Sequence, residues 1–164
     1  MSFFDIQLKH QAAALALVVE GMRIPLVHAM TGISYKQLSC VWRSAHGVDA
    51  ILPGRGAVGI LPYLKGTQNQ RLHMFLSTLV GFYFSIEKIH PRISQAEAFL
   101  LAWRSRWFFI DNEEDVDINV AWYAIRDLKA TELYLERCKR CHSTFIYDLK
   151  IAELSRCPFC KQQN

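Results

Sequence analysis

Cys138, Cys141, Cys157 and Cys160 form two C-x-x-C pairs separated by fifteen residues, and no other feature so narrows what this chain can fold into. Two residues between cysteines let a tight turn aim both sulfurs at one point. Two such turns brought together make a tetrahedral thiolate cage of the kind that suits Zn2+, one ion per chain. A cage of four thiolates leaves no open coordination position, so the expected role of the metal is to hold structure rather than to catalyse. Two other chemistries use such pairs. A thiol-redox centre uses a single pair at a strand–helix junction, unlike the double pair here. Rubredoxin-type iron also takes two pairs, commonly with glycine after each. Here His142 and Lys161 follow the pairs, which disfavours iron.

The chain of 164 residues is long enough for one medium domain, or one domain with an appendage, and half of it is apolar. The net charge of +4 permits an anionic partner without demanding one. Met1 to Asp5 lacks the basic and apolar regions of a signal peptide, so a reducing cytoplasm is the expected location. There, paired cysteines point to metal or redox chemistry rather than to disulfides. The longest apolar run, Leu72 to Ile86 between Arg71 and Glu87, is shorter than the roughly 20 residues of a spanning helix. It reads as a buried helix, with no membrane association expected.

Spacing and cap residues predict a mainly α protein: a helical body with a helix-turn-helix-like N-terminal segment and a small C-terminal zinc ribbon. The body is expected over 1–131 and the ribbon over 132–164. A first helix is expected from Asp5, as cap, to Glu20, with Ile6, Leu15, Val18 and Val19 on its apolar face and Gly21 ending it. Pro25 suits the first turn of a short second helix through Thr31, and Gly32 makes a turn. Ser34 and Gln37 form a capping box that opens a third helix to about Ala45. Glycines and prolines break every periodicity over 46–66, a long loop of the sort that contacts partners. Helix resumes from Asn69 to Ile89, and again from the capping box Ser94/Glu97 to Phe108. Asp117 caps a last helix, Ile118 to Lys129. Strand pieces are expected at Leu133–Leu135 and Thr144–Tyr147.

Two groups of basic residues bear on function. Arg137, Lys139, Arg140, Lys150, Arg156 and Lys161 surround the cysteines, with Lys139 and Arg140 inside the first turn. They serve either to balance the formal −2 charge of the cage or to bind phosphate. The segment Arg23 to Ala45 matches helix-turn-helix spacing, with Leu38 and Val41 facing inward and Tyr35, Lys36, Ser39, Trp42 and Arg43 facing outward. An ordinary helical hairpin has the same pattern. Cys40, on this helix, is expected in the core. The aromatics from Phe82 to Tyr123 sit mostly at helical spacing and are expected in the core, with some at a subunit contact. No G-x-S-x-G, H-E-x-x-H or Walker loop occurs, and Gly54 to Gly59 lacks the lysine-serine end of a phosphate loop. No enzymatic activity is expected.

These pieces resemble the FlhC family, the DNA-binding partners of FlhD in the flagellar master regulator. The matching residues are Asp5-Ile6-Gln7-Leu8, the basic turn Gly21 to Arg23, Trp42 to Gly47, Gly59-Ile60-Leu61-Pro62-Tyr63, His73 to Phe75, and both C-x-x-C pairs. They extend over nearly the whole chain. The resemblance implies a transcription activator that binds zinc through the four cysteines, joins FlhD-like subunits in a heterohexamer, binds promoter DNA and helps recruit RNA polymerase. The family includes activators carried on conjugative elements. The Gly-rich loop departs from flagellar members, so flagellar and conjugative-transfer promoters are both in view. Arg23, Lys36, Arg43, Lys139 and Arg140 are the expected DNA contacts. The competing reading is a zinc-ribbon module that docks protein without touching DNA.

Overall fold

The structure is a computed structural model and describes residues 3–49, 60, 70–108, 116–148 and 156–161. The described residues are mainly helical, with one two-stranded sheet. Apart from Ile60 and the residues up to 49, the expected 46–66 loop lies outside the described residues, as do 111–115 of the acidic stretch. By packing, the chain groups into two compact units: Met1–Ala57 with Glu87–Leu101, and Val58–Ile86 with Ala102–Asn164.

In the first unit, helices α1 (Phe3–Val19), α2 (Ile24–Thr31) and α3 (Tyr35–His46) each touch the other two. Ala13, Ala14, Leu17, Val18, Met22, Val27, Leu38 and Trp42 are buried. α1 begins at Phe3, so Asp5 lies within its first turn instead of capping it. It ends where Gly21 takes φ +91°. The Gly21 N–H then reaches Val18 O at 3.1 Å and the Met22 N–H reaches Leu17 O at 2.9 Å, closing the last carbonyls. The expected apolar face is corrected in part. Val18 is buried, but Leu15 and Val19 are 37% and 53% exposed. α1 is apolar on most of its circumference, so periodicity alone does not choose which side turns inward.

α2 has proline in its first turn, and Gly32 follows it in the left-handed conformation at φ +69°. Its N–H returns to His28 O at 2.8 Å. The turn is held by His28 Nδ1 on Ile33 O (2.7 Å) and by the Thr31 hydroxyl, which donates to Val27 O at 2.6 Å. The Ser34/Gln37 capping box then opens α3 as expected.

The second unit takes in most of α4 (Gln70–Ile89), the end of α5 (Gln95–Arg104) with its 3-10 turn (Ser105–Phe108), α6 (Ile118–Lys129) and the hairpin of β1 (Tyr134–Arg137) and β2 (Thr144–Tyr147). Ser94 and Glu97 make the second capping box, opening α5. Asp117 caps α6, its carboxylate accepting the Asn119 N–H at 2.8 Å. α6 is buried from Ile118 through Ile125. Asp127, also buried, is neutralised by Arg126 at 2.6 Å and accepts the Ile60 N–H at 3.4 Å. Tyr83, Trp103, Trp122 and Tyr123 are core residues, whereas Phe82 and Phe108 are exposed. Among the described residues, no helix is long and apolar enough to cross a membrane.

Candidate metal centre

β1 and β2 run antiparallel in a register that pairs Tyr134 with Tyr147 and Arg137 with Thr144. The hairpin tip is therefore the run from Cys138 to Ser143. Within it the Cys138 N–H reaches Ser143 O, and the His142 N–H reaches Cys138 O, both at 2.9 Å. The second pair repeats the device, with the Lys161 N–H on Cys157 O at 2.8 Å. His142 and Lys161 hold φ of +61° and +62°. These two side-chain-bearing residues thus adopt the left-handed backbone that glycine takes most readily. The lack of glycine there leaves the path of the turns unchanged, so it is no argument about which metal binds.

The turns bring the four sulfurs together. Cys138 Sγ lies 3.5 Å from Cys160 Sγ, and Cys141 Sγ lies 3.6 Å from Cys157 Sγ. All four lie within 4.8 Å of one another. Thiolates at about 2.3 Å from a central tetrahedral ion would sit about 3.8 Å apart, so the set can hold one metal ion. Cys138 and Cys157 are buried, Cys160 is half-buried and Cys141 is exposed. Cys138 and Cys157 join Phe145 in a small core, flanked by Tyr147 and Phe159.

The backbone prepares two sulfurs for the thiolate state. The Ser143 N–H, then its hydroxyl, stabilises the charged form of Cys141 and brings its pKa down to about 6. The Cys141 N–H is the main cause that lowers Cys138. Cys157 is different: burial pushes its thiol up to about 12. Hydrogen bonds favour the anion, while burial without a compensating charge opposes it, and a cation held at the cage centre would supply that charge.

α4 fastens this ribbon with three polar residues on one face. Gln70 Nε2 donates to Pro158 O at 2.6 Å, behind the second turn. His73 Nε2 bonds Ile146 O at 2.7 Å, and Ser77 Oγ accepts the Ile146 N–H at 3.0 Å. In a two-stranded sheet each strand is an edge with unpaired main-chain groups. His73 and Ser77 satisfy both groups of Ile146. His73 and Ser77 are 5% and 1% exposed. Spacing of three or four residues on one helix face was the only signal in the sequence, and it names no partner.

The five expected DNA contacts fall in three places. Lys139 and Arg140 are exposed on the first metal turn. Lys36 and Arg43 are exposed on α3 and line a cavity of about 410 Å3 with Ser39, Cys40, Ser44 and Val48. Arg23 is half-buried at the start of α2, where its carbonyl accepts the Leu26 N–H at 3.0 Å. Two expectations on α3 are corrected. Trp42 is buried, not outward, with its ring 4.1 Å from that of His46. Cys40 is exposed, not a core residue. Leu38 and Trp42 are four apart and share the inner face, which puts Cys40 on the outer one.

Comparison with protein-family models gives no match to this chain, and comparison with curated proteins gives none either.

Proposed function

We propose that this chain is a zinc-bound, DNA-binding subunit of a transcription activator, acting with an FlhD-like partner in the cytoplasm to recruit RNA polymerase to flagellar or conjugative-transfer promoters. The observation that carries the reading is α3. It follows a two-helix turn pinned at Gly32, and its outer face presents Tyr35, Lys36, Ser39 and Arg43. Side chains of these types reach phosphates and base edges when such a helix enters a major groove. The cage supports it from a second place, where Lys139 and Arg140 project on a turn that an ion makes rigid. Zinc suits four thiolates in a closed tetrahedral set, where its role is to fold the ribbon. The resemblance to FlhC proteins supports the partner and the promoter classes. No group in this reading performs catalysis.

Fluorescence anisotropy with promoter DNA, with and without an FlhD-like subunit, tests the proposal. Promoter DNA should bind in preference to scrambled DNA, and affinity should fall steeply with added salt as counterions are released. The pair Lys36→Ala and Arg43→Ala should weaken binding and flatten the salt dependence. Equal binding of promoter and scrambled DNA would sink it.

A docking reading has one observation in its favour: Tyr134 and Leu135 on β1 are 47% and 37% exposed. Reversing the charges of Lys139 and Arg140 separates the two readings. Lost protein association with intact DNA binding supports docking.

A further inference from the structure

Each sulfur of the cage has a close neighbour on the other metal turn. Cys138 Sγ and Cys160 Sγ are 3.5 Å apart, and Cys141 Sγ and Cys157 Sγ are 3.6 Å apart. Both contacts cross from the first C-x-x-C turn to the second, and both join unlike sulfurs. Cys138 and Cys157 are buried, whereas Cys160 is half-buried and Cys141 is exposed. A ligating cysteine is held as the thiolate. Its susceptibility to oxidation follows exposure, and a sensing cysteine needs a second sulfur beside it to resolve the product. Each contact supplies that arrangement: an accessible sulfur to be oxidised and a covered one to close on it.

We propose that the metal centre is a redox switch in which a hydroperoxide oxidises Cys141 and Cys157 then closes on it, so that the ribbon gives up its ion and is tied by a disulfide between its two turns. The switch rests on the zinc site of the proposed function and not on DNA binding. The Cys141 thiolate attacks one oxygen of the peroxide. An S–O bond forms as the O–O bond breaks, leaving Cys141 as sulfenic acid and releasing hydroxide, or alkoxide from an organic peroxide. The Cys157 thiolate then attacks the Cys141 sulfur. The S–S bond forms, the S–O bond breaks, and hydroxide leaves on the exposed side and takes up a proton as water. The pair of sulfurs loses the two electrons that the peroxide gains. The disulfide removes two of the four ligands, and the remaining sulfurs do not make a closed set. Cys138 and Cys160 follow by the same steps, beginning at the more accessible Cys160.

The crossing matters for the fold. A disulfide within either turn would leave the second turn with no cross-link to the first once the ion departs. A disulfide between turns keeps them together, so the oxidised ribbon is metal-free and still closed.

The zinc-loaded full chain carrying Cys40→Ser tests the switch, because Cys40 is the one cysteine outside the cage. Hydrogen peroxide is titrated in. Released zinc is read with a chromogenic chelator, and cysteine links by peptide mass mapping without reduction. About one equivalent of peroxide should release each ion, in step with a Cys141–Cys157 link. Ribbon amide resonances should stay dispersed, and a thiol reductant with added zinc should restore the starting spectrum. Links within a turn, Cys138–Cys141 or Cys157–Cys160, overturn the proposal. So does conversion of Cys141 to sulfinic acid without any link. A centre that keeps its zinc and its thiols under peroxide sufficient to oxidise the exposed Cys40 of the native chain also overturns it, while leaving the zinc site standing. A reduced chain that takes up no zinc strikes both.

Discussion

His73 on α4 and Ile146 on β2 are joined by a 2.7 Å hydrogen bond across 73 positions of sequence, from the imidazole Nε2 to a main-chain oxygen. The bond fixes the tautomer: Nε2 carries the hydrogen and donates it. Its neighbour Ser77 accepts the N–H hydrogen of the same residue, so one helix pairs both main-chain groups of Ile146 at an edge of the ribbon. His73→Leu leaves the buried carbonyl of Ile146 unpaired, and Ser77→Ala does the same to its N–H. Each should cost about 1–3 kcal/mol, measured by chemical denaturation at a fixed metal concentration.

The same histidine makes stability depend on acidity. Burial, the larger effect, lowers its pKa below the usual 6.5, while the bond to Ile146 works in the opposite direction. Above 6.5 the ring is neutral in both the folded and the unfolded chain. As pH falls below 6.5, the unfolded chain takes up a proton that the folded one resists, so stability declines until the folded value is reached. Denaturation midpoints should fall across this window. His73→Leu should flatten the part of the slope that belongs to this ring.

The thiols of the metal-free chain should differ in reactivity. Cys141 is exposed and brought down to about 6, so it is largely thiolate at neutral pH. Cys157 is buried and pushed up to about 12, so it stays protonated. Alkylation followed by peptide mass mapping should label Cys141 first and Cys157 last, because the thiolate is the nucleophile. Added zinc should protect both.

Cys138→Ser and Cys157→Ser should each abolish stoichiometric metal, assayed by elemental analysis. Because assembly of the cage and folding of the ribbon are linked, the hairpin should open with the loss. The far-ultraviolet helical signal should change little, since the helices make their hydrogen bonds internally. Bound metal and native ribbon resonances in either variant would contradict the cage.

Much of the fold was legible because its signals are local. The boxes Ser34/Gln37 and Ser94/Glu97, the Asp117 cap and the glycines at 21 and 32 are short-range chemistry, and each acts as its residue type suggests. The cage was legible for the same reason, since each turn is built within four residues. Apart from Asp5, which lies inside the first turn of α1 instead of capping it, the failures are questions of facing. Leu15, Val19, Trp42 and Cys40 all lie on helices, but tertiary packing decides which side is covered, and an apolar residue fits either. The hold of Gln70, His73 and Ser77 on the ribbon was invisible because its acceptors and donor are main-chain atoms, which carry no letter in a sequence.

The pairing of Arg137 with Thr144 places Cys138 one step beyond the last rung of the sheet. A strand slipped by one residue turns every side chain to the opposite face. A misaligned hairpin would therefore point Cys138 away from its three companions and fail to collect its ion. Metal capture at this cluster would thus act as a proofreading step for a sheet too short to choose its own alignment.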